Sequence, residues 1–158
     1  MIIQNKELLV PFYNNNQIIP KNFCISDIDY FCPTIDVLKD ELFPKYWQWL
    51  KSLKLTKWVH RWDCDNFADA FKLFSCGYYE QTIESTANGI AIGVIYYKAN
   101  SRAESGLKGG HAINIIYIDN GKNDDGTNNF YPIFIEPQNG KIYKLSQEEF
   151  NSIWTVYI

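Results

Sequence analysis

The sequence predicts an α+β domain, and three observations carry that prediction. Residues up to about 80 read mostly helical, residues from about 89 onward read mostly as strands, and no internal repeat or linker divides the 158 residues. A chain of this length closes around one core, so residues 1–158 are read as a single domain. Hydrophobic residues make up 46% of it, and 5 Trp, 11 Tyr and 10 Phe predict an unusually aromatic core.

Charge and patterning exclude several function classes. The net charge is −3, and the densest basic stretch is the loose set Lys51, Lys54, Lys57 and Arg61, so a nucleic-acid partner is not expected. No run of about 18 apolar residues occurs, and Met1 to Glu7 is not a basic start followed by an apolar stretch. Neither a signal peptide nor a membrane span is expected, which places the protein in the cytoplasm by default. Cys24, Cys32, Cys64 and Cys76 are spaced by 8, 32 and 12 residues, without a C-x-x-C pair. They are expected to stay reduced and to form no structural zinc site.

The elements follow in order. Leu8 to Phe12 reads as a short strand, and Asn14-Asn15-Asn16 with Pro20 reads as a loop. Thr34 caps a short helix running to about Leu42, and Pro44 suits the first turn of a second helix carrying Tyr46, Trp47, Trp49, Leu50 and Leu53. Phe67, Ala70, Phe71 and Phe74 lie at helical spacing behind Asp63, an N-cap residue, which puts Cys64 in a first helical turn. From Gly89 to Tyr97 the pattern is that of a strand buried on both faces. After a loop from Ala99 to Gly110, His111 to Ile118 and Phe130 to Glu136 form an antiparallel pair across the polar segment 119–129. A register symmetric about that segment sets residue i opposite 247 minus i, and so His111 opposite Glu136. Ile142 to Leu145 is a short strand, Ser146 and Glu149 form a capping box, and Trp154 to Ile158 ends the chain as a strand.

Cys64, His111 and Glu136 are the candidate catalytic residues. A thiol attacks a carbonyl as its thiolate, which a helix N-terminus and a neighbouring imidazole both favour. A carboxylate on the far imidazole nitrogen fixes the tautomer and stabilises the imidazolium. The separations of 47 and 25 residues place these three groups on a helix, a strand and the next strand. The alternative for Cys64 is a small hydrophobe in the core. Asp63 and Asp65 flank the thiol with negative charge, which opposes its ionisation. His60, Cys24, Cys32 and Cys76 are read as structural, Asn114 as the donor or acceptor of a local hydrogen bond, and Gln138 as part of the turn that positions Glu136, with substrate contact as its second role. The aromatics Tyr46, Trp47, Trp49 and Trp58 are read as core in preference to a sugar-stacking platform.

Three stretches resemble the Cys, His and acid motifs of the papain-like and transglutaminase-like cysteine hydrolase superfamily: Asp63-Cys64-Asp65-Asn66-Phe67-Ala68, Gly109-Gly110-His111-Ala112-Ile113-Asn114-Ile115, and Phe134-Ile135-Glu136-Pro137-Gln138-Asn139-Gly140. The motif order is similar to that of the Cys-His-Glu protease domain of fungal agglutinins. The resemblance implies a papain-like fold, with Cys64 as nucleophile, His111 as general base and acid, and Glu136 as its orienting group. It implies amide cleavage in a protein or peptide substrate, with glutamine deamidation or transglutamination as one alternative and a non-catalytic module of the same fold as another. Papain carries a Gln before its Cys as oxyanion donor, and this chain has none there. Trp62, Trp58 or Gln48 is left for that role, and Gln138 for substrate contact. Calcium dependence in agglutinin-type members makes Asp65, Asp69 and Glu136 a possible calcium set, although no cofactor is required.

Overall fold

The computed structural model describes residues 1–13, 20–103 and 105–158. The loop expected at Asn14-Asn15-Asn16 lies outside these. Nine strands are present among the described residues: β1 (Ile2–Gln4), β2 (Asn22–Cys24), β3 (Asp29–Phe31), β4 (Gly89–Ile90), β5 (Ile92–Ala99), β6 (Gly109–Lys122), β7 (Asn128–Glu136), β8 (Lys141–Tyr143) and β9 (Thr155–Tyr157). They form a six-stranded sheet in the order β2-β9-β5-β6-β7-β8 and a three-stranded sheet in the order β1-β3-β4. The helices of ten or more residues are α2 (Phe43–Ser52) and α3 (Cys64–Thr82); α1 (Val10–Tyr13) and α4 (Gln147–Asn151) are single turns.

The molecule is therefore mostly β, which corrects the expected papain-like α+β division. Three strands lie in the half expected to be helical, and β2 pairs in parallel with β9 from the far end of the chain. Short apolar runs do not separate helix from strand by periodicity, and the N-terminal segment shows this in reverse. Leu8 to Phe12, expected as a strand, lies in a 3₁₀ turn (Asn5–Leu9) running into α1, because the Glu7 carboxylate accepts from the Gln4 amide at 2.6 Å and starts a helical turn. The strand expected from Gly89 to Tyr97 is divided at Ala91. There the chain passes from one sheet to the other, the Ala91 amide donating to Phe31 and its carbonyl accepting from Tyr117.

Strand β6 organises the core because it is long and apolar on both faces. Side chains alternate across a strand, so Ile116 and Ile118 pack with Leu42, Tyr46, Leu50, Phe67 and Phe71 of the helical layer. Ile113, Ile115 and Tyr117 point the other way, toward Ile3, Leu8, Phe12, Ile153 and Val156. Helix α3 begins where expected: Asp63 is its N-cap, and the Asn66 side chain accepts from the Asp63 amide at 3.1 Å. Thr34 accepts from the Val37 amide, and Pro44 sits in the first turn of α2. Helix α3 lies close to the sheet at Ala68, which packs with Val94 and Ala112. The fully buried Asn114 side chain on β6 bridges the two layers, its Nδ2 donating to Ala68 O at 2.9 Å and to Gly93 O at 3.1 Å.

The β6–β7 ladder forms as expected but in a different register. Asn114 faces Ile135 and Asp119 faces Phe130, so residue i lies opposite 249 minus i in place of 247. The cause is an irregularity between Asp119 and Lys122, which makes the connection asymmetric. A shift of two residues preserves the faces, so Glu136, opposite Ile113, still lies on the same face as His111. Among the described residues no helix is long and apolar enough to cross a membrane.

Replacing Asn114 by Ala removes the two side-chain hydrogen bonds that join α3 to β5 and leaves a void between the layers. We expect a loss of about 2–4 kcal/mol in denaturant unfolding with an unchanged m-value, and a loss below about 0.5 kcal/mol would contradict the bridging role.

Candidate functional site

The three motif residues meet. Cys64 opens α3, His111 lies near the start of β6, and Glu136 ends β7, and all three line one cleft of about 440 Å³. His111 and Glu136 are only 6% and 4% exposed, and His111 Nε2 lies 2.7 Å from Glu136 Oε2. An ionised carboxylate only accepts, so Nε2–H donates, which leaves Nδ1 for the Cys64 thiol. The other Glu136 oxygen accepts from Gln138, from its amide at 3.3 Å and its Nε2 at 3.1 Å. Gln138 thus holds the acid in place, as the turn role required, and also lines the cleft.

That turn depends on one glycine. The Glu136 carbonyl accepts from the amides of Asn139 and Gly140, and Gly140 has φ +75. A side chain there would be strained and would collide with the Phe43 ring, so the turn joins α2 to the cleft wall at a position only glycine fits.

The electrostatics follow from burial and pairing. Burial pushes the His111 imidazole down, but its hydrogen bonds with Cys64 and Glu136 and the charge of Glu136 outweigh this and the opposing charge of Arg102, so its pKa lies above the ordinary histidine value. Asp63 is raised as well, first by its hydrogen bond with Asp65 and then by burial and the Asp65 charge.

The remaining sequence candidates divide. Trp58 lines the cleft and is 59% exposed, so of the expected aromatic core it alone stands free. Tyr46 is fully buried and Trp47 and Trp49 half-buried. Trp62 packs edge-on against Phe67 with its indole N–H buried and without a partner, and Gln48 is exposed on α2; neither lines the cleft. Asp65, Asp69 and Glu136 do not assemble as a calcium set, because Asp69 accepts from the Tyr157 hydroxyl and Glu136 is engaged with His111 and Gln138. Among the described residues, Asp63, Cys64 and Asp65 instead bring their ligand atoms within 4.8 Å of one another. Two carboxylates and a thiol mix hard and soft ligands and fall short of the six to eight oxygens that calcium takes.

Sequence reasoning missed the far wall. Arg102, Ser105 and Leu107 come from the loop after β5 and line the cleft together with Gln138 and Asn139. The loop is tied to α4: the fully buried Glu149 accepts from the Ala103 amide at 3.0 Å, and Glu148 accepts from the Asn100 amide and side chain, both at 2.9 Å. The Ser146–Glu149 capping box was visible in the sequence, but its second partner, a loop 46 residues away, was not.

Solved structures that share this fold include two ligand complexes. PSL1a in complex with E-64 matches at a TM-score of 0.69 and 19% identity over 99% of this chain and 51% of that one. Polyporus squamosus lectin, bound to the human-type influenza-binding epitope Neu5Acα2-6Galβ1-4GlcNAc, matches at 0.65 and 19% identity over 99% of this chain and 49% of that one. The chain therefore spans about half the length of each. No family model and no curated protein matches it.

These matches correct the functional expectations. One neighbour is a lectin bound to its glycan and the other a complex with E-64. The papain-like and fungal-agglutinin-protease assignment, the amide-hydrolysing and thiol-peptidase function, and the protein or peptide substrate are accordingly withdrawn. The motifs are too short to have carried them: a Cys at a helix start and a His–Glu strand pair constrain local geometry, while function is carried by the whole site.

Replacing Glu136 by Gln should lower the His111 pKa, read from its imidazole protons by NMR. A raised histidine pKa gives stability that is fully present below the unfolded value near 6.5 and is lost as pH rises through the folded value. The stability deficit of the variant should therefore be larger near about pH 5.5 than near about pH 9. An unmoved His111 titration would show that the pair is not coupled.

Proposed function

We propose that the chain is a ligand-binding module whose cleft takes a polar ligand, and that a glycan is the class it fits best. The observation that carries this reading is the lining: one exposed indole, Trp58, stands beside Arg102, Ser105, Gln138 and Asn139. A sugar offers an apolar C–H face to an aromatic ring and hydroxyls to amides, and a carboxylate on it would pair with a guanidinium. The glycan complex of Polyporus squamosus lectin supports the same ligand class.

At the floor of the cleft we propose that Cys64, His111 and Glu136 act as one unit. His111 lies between the thiol and the carboxylate and holds the proton they share access to, so an incoming ligand meets a polar, adjustable surface. The E-64 complex of PSL1a favours a second reading, in which E-64 also enters this cleft beside Cys64.

Calorimetric titration with Neu5Acα2-6Galβ1-4GlcNAc tests the proposal. We expect binding that persists in EDTA, weakens about tenfold or more in Trp58→Ala, and weakens by a similar factor in Arg102→Gln. Galβ1-4GlcNAc, which lacks the carboxylate, should bind the wild type about as weakly as the trisaccharide binds the Arg102 variant. Absence of binding by both sugars would refute the glycan class. For the floor, iodoacetamide should modify Cys64 at a rate that His111→Ala changes, while the rate at exposed Cys76 stays constant; equal insensitivity of both thiols would show that the three groups do not act together.

A further inference from the structure

Beyond Cys64 and Gly110 the cleft opens onto a row of aromatic rings that the reading above does not use. Cys64 packs with Tyr96 and Tyr157 around Ala68, Val94 and Ala112. Trp154 lies beside Gly110, its ring 3.7 Å from where a side chain on that residue would begin, and its amide donates to the Tyr96 carbonyl. The rings run Trp154, Tyr96, Tyr157, with centroids 6.2 Å and 6.5 Å apart. Trp154 is exposed and the two tyrosines are partly so. Adjacent strands supply them: Tyr96 faces Thr155 and Val94 faces Tyr157 across β5 and β9.

The surroundings of this row are acidic. Asp69 accepts from the Tyr157 hydroxyl, and Asp65 lies in the turn of α3 above it. Burial first, and then the charges of Asp69 and Asp65 nearby, push the Tyr96 phenol up to about 12. Among the described residues no ion pair engages Asp63, Asp65 or Asp69. The protein's own cation sits at the far end of the row, with Lys72 Nζ 5.9 Å from the Tyr157 centroid. The near end, Trp154 and Tyr96, has no such partner among the described residues.

We propose that Trp154, Tyr96 and Tyr157 form a shelf that binds an organic cation, an ammonium or guanidinium group on an apolar stem. Ring faces attract a cation through their quadrupoles, most strongly at Trp, and the stem covers the apolar part of the rings. Asp65 and Asp69 complement the charge from the helix side. The shelf adjoins the cleft, so this inference deepens the reading given above by adding a cationic group to the ligand it takes; its test uses probes small enough to occupy the shelf alone.

Titrate the full chain with n-butylguanidinium and, separately, with n-butylurea, its neutral isostere, and follow the Trp154 indole signal by NMR, assigned with Trp154→Phe. The expected result is saturable binding of the guanidinium at least about tenfold tighter than the urea. Asp69→Asn, which keeps the acceptor for Tyr157, and Asp65→Asn should each weaken it severalfold. Trp154→Ala, followed at the Tyr96 and Tyr157 backbone amides in place of the indole, should weaken it about tenfold, with thermal unfolding confirming that each variant is folded. Equal affinity for the two probes, no binding of the guanidinium, or unchanged affinity in both Asp variants would overturn the proposal. A chain that binds the guanidinium but no glycan would refute the glycan reading and leave the shelf standing.

Discussion

The position of one buried amide decides whether this molecule has a site at all. Asn114 has no exposure, and its two donors reach the helical layer at Ala68 O and the neighbouring strand at Gly93 O. Ala68 is one helical turn after Cys64, and Asn114 is three residues after His111, so the amide fixes the thiol's helix against the imidazole's strand within a turn of both. The Asn114 Oδ1 is buried without a partner, which costs stability. A Leu of similar size would avoid that cost but would hold neither carbonyl.

Around that fixed joint the site is built from pairs that satisfy each other. Glu136 is buried, and a buried carboxylate is tolerable only when its lone pairs are used. His111 takes one oxygen and Gln138 takes the other twice. The same rule operates on the far wall, where buried Glu149 caps α4 and holds the loop bearing Arg102. The buried acids thus order two backbone segments, the turn after β7 and the loop after β5, and both contribute residues to the lining of the cleft. Trp58 and Trp154, by contrast, are exposed.

Much of this was legible along the chain, and the rest was not for identifiable reasons. The α3 start, the Thr34 side chain accepting from the Val37 amide and the Ser146 capping box are local patterns and appear where the residues put them. The two helices expected on either side of Phe43 instead run on as one, a π-helical stretch (Val37–Leu42) leading into α2. The meeting of His111 with Glu136 was also legible, because a two-residue register shift keeps side chains on their face even though the bulge at Asp119–Lys122 moved the pairing. Long-range pairing was invisible: β2 with β9, β3 with β4, and the Ala103 loop with Glu149 join residues with no shared pattern. The short strands among the first 31 residues carried no alternation long enough to read, so the helical share was overestimated and with it the fold class. The functional reading went astray at the same place, since short motifs fix a geometry and the ligand is chosen by the walls around it.

On the proposed function, a ligand enters the cleft between α3 and the sheet that Cys64, His111 and Glu136 line. The most direct measurement is a set of backbone and indole NMR spectra with increasing Neu5Acα2-6Galβ1-4GlcNAc. Shifts should concentrate at Trp58, Arg102, Gly110, His111, Gln138 and Asn139, which line the cleft. Shifts mapping instead to the groove of β7, β8 and α4 around Pro132, Tyr143 and Phe150, or no shifts at all, would contradict that reading.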